Sequence, residues 1–161
     1  MTDYWQLQSI RASIEEQDVK AATTITAGQV VRHDGTGVIA NTTNSSATCL
    51  GIAIDTVDNS SGATGDKHVS IATCGRAKAP AVVEAGGGNA FDATIAIGDR
   101  LSLGGDGGTN VADGQGLVDG INASGTDQAT DAPGLVVATA LGAVGASTYD
   151  SDLEVEFDFR D

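Results

Sequence analysis

Residues 49–74 read CLGIAIDTVDNSSGATGDKHVSIATC, and their pattern decides the fold class. Two β-branched runs flank DNSSGATGD, a stretch built from turn-forming Asp, Asn, Ser and Gly. Folding the flanks antiparallel about that loop pairs Ile54 with Val69, Ile52 with Ile71 and Leu50 with Thr73. The opposite face pairs Ala53 with Ser70, Gly51 with Ala72 and Cys49 with Cys74. Apolar side chains then share one side, as a half-buried hairpin requires. The same register predicts that Cys49 and Cys74 are cross-strand neighbours with Cα atoms about 4.5–5.5 Å apart, within disulfide reach. Cross-strand bridges are often strained, so free thiols are expected.

The rest of the chain extends this reading. The C-terminal DLEVEFDFRD alternates strictly, with Leu153, Val155, Phe157 and Phe159 on one face and Glu154, Glu156, Asp158 and Arg160 on the other, the signature of a core strand. GLVVATAL (134–141) is a β-branched run suited to a central strand. Pro80 has no N–H to donate, so its strand lies at an edge or meets a bulge. Gly occurs 22 times and Pro twice, which disfavours a helical bundle and excludes collagen. The predicted fold is all-β: a small barrel or sandwich of antiparallel hairpins with Gly/Asp-rich loops and an N-terminal arm. Residues 1–13 form the arm, 14–161 a single β-domain, and about 116–133 a surface insertion. The arm holds the only Trp, Trp5, with Tyr4, Leu7 and Ile10. These aromatic and aliphatic side chains need burial, either on their own domain or on a partner.

Charge narrows the function. The chain has 22 acids against 8 bases, a net −14, which disfavours nucleic acid as partner. Asp outnumbers Glu 17 to 5 and only three Lys occur, a balance suited to high salt, where repulsion is screened. No run is long and apolar enough for a membrane span, and the start shows no signal peptide. Sequons at Asn41, Asn44, Asn59 and Asn122 read as chance matches. No catalytic constellation assembles: His33 and His68 are the only histidines, no G-x-S-x-G occurs, GATGDKH (62–68) has the wrong spacing for a phosphate loop, and GGGNAF (86–91) fails the dinucleotide fingerprint. GGDGGTN (104–110) and DGQGLVD (113–119) offer oxygen ligands but match no calcium motif, so they read as solvated loops. Neither enzyme activity, cofactor nor metal is expected.

One phrase occurs twice. ITAGQVVRHDGTGV (25–38) and IAIGDRLSLGGDGGTNV (95–111) each give a strand, a tight Gly turn, a second strand and an Asp-Gly loop. Turn chemistry is reused in many β-proteins. The order of segments says more. Ala27-Gly28-Gln29-Val30-Val31, then Gly51-Ile52-Ala53, the strand 69–76 ending at Arg76, the hairpin Ile97-Gly98-Asp99, the strand 136–141 and the alternating end together resemble the capsid cement, or decoration, proteins of tailed viruses. The resemblance covers roughly residues 20–160; Gln29 stands where the family often has an acid, and the 116–133 stretch departs from its pattern. It implies a structural protein on the outer surface of a virion, made in the host cytoplasm, that bridges major capsid protein subunits and self-associates, a homotrimer being expected. The arm residues Tyr4, Trp5, Leu7 and Ile10 would supply partner contact. With the acidic surface, the source implied is a virus of a halophilic archaeon. The rival expectation is a glycan- or protein-binding β-module of a cell-surface assembly.

Overall fold

The computed structural model describes residues 4–11, 13–42, 48–82, 95–104, 112, 114–119, 136–145 and 149–160. Among these residues there are strands and turns but no helix, hence none long and apolar enough to cross a membrane. In chain order the strands are β1 (Gln6–Ile10), β2 (Ile14–Asp18), β3 (Thr23–Ile25), β4 (Val30–His33), β5 (Val38–Ala40), β6 (Cys49–Ala53), β7 (Val57–Asn59), β8 (His68–Ala72), β9 (Cys74–Val82), β10 (Arg100–Gly104), β11 (Gly116–Asp119), β12 (Val136–Ala140) and β13 (Tyr149–Asp158). This is the all-β class that the Gly density and period-2 runs predict.

The repeated phrase marks a repeated structure. In the second half the strand order β11-β10-β12-β13-β9 closes into a ring, because β9 also meets β11 in parallel through Leu117 and Ala81. In the first half the order β5-β4-β6-β8-β2 is the same arrangement, and a parallel bridge between Val19 and Val38 joins its ends. Registers coincide as well. Val30, Val31 and Arg32 face Ile52, Gly51 and Cys49; Arg100, Leu101 and Ser102 face Thr139, Ala138 and Val136, with the same one-residue bulge. Thr26 N–H donates to the side chain of Gln29 and Ala96 N–H to that of Asp99, each at 2.7 Å, so an amide and a carboxylate build the same turn. Each turn glycine then donates to an alanine carbonyl, Gly28 to Ala53 and Gly98 to Ala140, both at 2.8 Å.

The interiors match position for position. Val19, Ile25, Val31, Val38, Ala53, Val69 and Ile71 form one core cluster. Ala81, Ile95, Leu101, Leu117, Ala140, Leu153 and Val155 occupy the equivalent places in the second unit. Beyond its own interior, that second cluster takes in Val30, Ile52, Ala72 and Cys49 from the first unit, so one apolar core joins the two. Phe157 and Phe159 belong to it, as the alternation of the last strand predicts.

The predicted hairpin register is off by one. Ile52 pairs with Ala72 and Ala53 with Ile71. The cause is that Ile52 and Ile54 turn to the core shared with the second unit while Val69 and Ile71 fill the first unit's own interior, so they do not share a face; a bulge at Leu50–Gly51 in the β4–β6 pairing conceals this. Leu50 packs on the first cluster and Ile52 on the second, so side-chain alternation reverses at Gly51. Gly51 has φ +151°, and a Cβ there would strike the Ala72 carbonyl oxygen. The predicted pairing of Cys49 with Cys74 also fails. The chain leaves one sheet at Thr73 and enters the other, so Cys49 on β6 faces Arg32 while Cys74 on β9 faces Asp158. They form no disulfide. Pro80 sits where the register of β13 on β9 shifts between Asp150 and Leu153, and Asp152 N–H there bonds the Asp150 side chain at 2.9 Å.

Residues 6–10 are not a detached arm. β1 lies antiparallel on β9, and β2 lies antiparallel on β8. β8 and β9 are nearly continuous, so β1 and β2 together run along both units. Gly75 permits the crossing: its φ is +154°, and a Cβ would collide with the Ser9 carbonyl. The expected surface insertion is also corrected in part. Residues 116–119 form β11 inside the ring, with Leu117 fully buried; residues 120–133 lie outside the described residues.

Candidate functional site

The first sequence-predicted site is the N-terminal group, and its members separate. Trp5 is 3 % exposed. Its ring meets Phe157 edge-on at 5.9 Å and Phe159 at 6.2 Å, and its Nε1 donates to the Gln115 carbonyl at 2.7 Å. Trp5 is therefore a core residue and is removed from the partner-contact set. Leu7 packs against the same core and Tyr4 is half-buried. Ile10 stays exposed, and Ile14, which the sequence reading passed over, is 60 % exposed. Ile10 lies on β1, the outer strand of its sheet, and Ile14 on β2, which meets the far strand of its own sheet only through the Val19–Val38 bridge beyond its end. An edge strand with apolar side chains is a site where another chain can pair.

Gln115 was also missed. It lies in DGQGLVD, read from sequence as a solvated loop, yet it is 2 % exposed. Its side-chain oxygen accepts from Val30 N–H at 2.7 Å, and its Nε2 donates to the Val30 carbonyl at 3.0 Å and the Asn41 carbonyl at 2.7 Å. A side-chain amide thus imitates a neighbouring strand and clasps the second unit to the first. Nothing in the local pattern distinguishes this Gln from a loop residue.

Other motifs resolve simply. Asn41 and Asn59 are each 1 % exposed, and their amides donate inward, Asn41 to Gly114 and Asn59 to Val19, Lys20 and Ala63. These two sequons are structural; Asn44 and Asn122 lie outside the described residues, as does 86–91. His33 accepts from Gly35 N–H at 3.0 Å, and His68 lies 2.8 Å from Asp18, both within surface turns and strands. No group of three or more His, Cys, Asp or Glu capable of holding a metal occurs among the described residues.

The feature with the strongest chemical character is the outward face of the second unit. One cross-strand row runs Arg100, Thr139, Glu156, Arg76. Arg11 reaches Glu156 at 3.0 Å, with Arg76 Nε 3.9 Å from the same carboxylate. Arg160 contacts Asp158 at 2.6 Å, and this hydrogen bond, above all, holds the Asp158 carboxyl below its ordinary range. A groove of about 470 Å³ opens on this face. Among the described residues its lining holds three arginines, Arg11, Arg100 and Arg160, and two carboxylates, Glu156 and Asp158, a local excess of +1 on a chain of net −14. Sequence alone could not assemble this site, because its arginines are up to 149 positions apart, from Arg11 to Arg160.

No family model matches the chain, and no curated protein is significantly similar to it.

Proposed function

We propose that the protein is a structural virion component that binds the outside of a tailed-virus capsid and stabilises it by bridging major capsid subunits. The observation that carries this reading is the outer strand β1 with the neighbouring β2, which lie on β9 and β8 and leave Ile10 and Ile14 exposed. A strand edge of this kind supplies main-chain hydrogen bonds, and the isoleucines add apolar burial at about 25 cal/mol per Å². The order of short motifs resembling the decoration family supports the same function. The net −14 charge suits a particle exposed to brine, in keeping with a halophilic archaeal host.

The test is co-expression with a major capsid gene neighbouring this one, followed by sedimentation of the particles. The wild-type protein should travel with the shells. The double variant Ile10→Asp/Ile14→Asp should fold yet remain at the top of the gradient. Wild-type protein absent from the shells, or binding to immobilised glycans instead, would count against the capsid role and favour a cell-surface β-module.

A further inference from the structure

The two units have the same topology, so each position in one has a counterpart in the other. Cross-strand pairing matches the row Val30, Ile52, Ala72, Ile14 of the first unit to the row Arg100, Thr139, Glu156, Arg76 of the second. In the first unit this face is an interface. Val30, Ile52 and Ala72 are fully buried in the core shared with the second unit, and Gln115 clasps Val30. In the second unit the corresponding face carries no such cover among the described residues: Arg100, Thr139 and Arg76 are exposed.

We propose that this face, at the groove between Arg11, Arg100 and Arg160, docks an acidic extended segment of the shell protein. The proposal rests on the capsid reading above and names the chemistry of its partner. Four features set that chemistry. Among the described residues the groove gathers three arginines on a chain of net −14, which favours a carboxylate-bearing segment there over the acidic remainder of the described surface. Arg11 and Arg160 already hold carboxylates, which shows that their guanidiniums point to positions an acidic side chain can occupy. The Arg100 side chain makes no hydrogen bond or ion pair among the described residues, so its five N–H donors are open to a new carboxylate. Val136 and Leu141, half-buried beside it, offer apolar contact between the charges. A nucleic-acid duplex is the less suitable polyanion: its charge every ~1.7 Å of axis would meet the protein's own acids beyond the groove.

The full-length protein is titrated with a labelled peptide of alternating Glu and Val, about ten residues long, in about 0.1 M salt, where the Debye length is about 10 Å. Binding is read by anisotropy, and shell occupancy by sedimentation. Arg100→Glu should weaken peptide binding roughly tenfold or more and lower shell occupancy. Lys67→Glu changes net charge equally in an exposed turn of the first unit and should do neither. Arg160→Glu serves as a second reversal, and thermal unfolding verifies that each variant is folded. The inference is overturned if Lys67→Glu weakens the peptide as much as Arg100→Glu, if a short DNA duplex binds the groove more tightly than the peptide, or if Arg100→Glu keeps wild-type shell occupancy. Failure of the wild-type protein to reach shells, with Arg100-dependent peptide binding intact, overturns the capsid reading and leaves the acid-binding groove standing.

Discussion

Replacing Trp5 with alanine tests whether the N-terminus belongs to the fold. The side chain is 3 % exposed, packs on Phe157 and Phe159, and donates its indole hydrogen to the Gln115 carbonyl. Truncating a buried Trp costs about 3–5 kcal/mol, partly in transfer and partly in the cavity left behind. Loss of the hydrogen bond to a buried carbonyl adds about 1 kcal/mol. A domain of this size is stable by about 5–15 kcal/mol, so the loss is a large share. At about 2–4 °C per kcal/mol, the Tm of Trp5→Ala should fall by roughly 8–24 °C. Trp5→Phe keeps most of the ring contact and should lose only about 1–2 kcal/mol. Circular dichroism melting follows all three proteins. Because Trp5 is the only Trp, wild-type fluorescence reports the same site directly. A Tm for Trp5→Ala indistinguishable from wild type would refute the burial of Trp5 and restore a free arm.

The Gln115 clasp makes a second prediction: Gln115→Glu turns two donated bonds, to the Val30 and Asn41 carbonyls, into oxygen–oxygen contacts, and should cost about 3 kcal/mol or more in urea denaturation despite its equal size. Acid should expose the surface turns. The Lys20 ammonium at 2.5 Å, with Thr36 and Gly37, holds the Asp34 carboxyl well below its ordinary 3.8. A depressed folded value contributes stability above the unfolded value and loses it as pH falls, so the gap between wild type and Asp34→Asn should be constant above about pH 5 and close below about pH 4. Salt should stabilise: with net −14, Tm should fall on dilution from about 3 M to about 0.1 M KCl, and an unchanged value would remove the halophile argument.

Local patterns were legible and their joins were not. The alternation of residues 153–159 predicts the buried face of β13 because one strand needs no partner to reveal its period. The Gly turns at Gly28 and Gly98 are visible for the same reason. The hairpin register was lost because Ile52 and Ile54 face the core shared with the second unit while Val69 and Ile71 face the first unit's interior, so matching them across one face misplaces the pairing by one. The Leu50–Gly51 bulge hides the change of face, since a glycine in a strand does not announce whether it is a bulge or a passive position. The ring closures, Val19 to Val38 and Ala81 to Leu117, join residues across 19 and 36 positions through parallel contacts that carry no turn signal. Trp5 was recognised as needing burial, but not where. Its partners are Phe157 and Phe159, at the far end of the chain. The candidate groove is the extreme case. Arg100, Thr139, Glu156 and Arg76 become neighbours only once three strand registers are known.

The same register separates stability from recognition in the second unit. In the first unit the row Val30, Ile52, Ala72 must be apolar, because it is buried against the shared core. Its counterpart, Arg100, Thr139, Glu156, faces outward and contributes little to folding; exposed ion pairs such as Arg11–Glu156, with side chains 56 % and 40 % exposed, are worth about 0–1 kcal/mol. Fold requirements therefore do not explain why arginines collect there on a chain with nearly three acids for every base. Neutralising Arg100 should leave Tm within about 1–2 °C of wild type, since surface changes usually alter stability by less than about 0.5 kcal/mol. An unchanged Tm with weakened binding assigns Arg100 to partner contact. A large loss of stability would instead make the arginine row part of what holds the barrel closed.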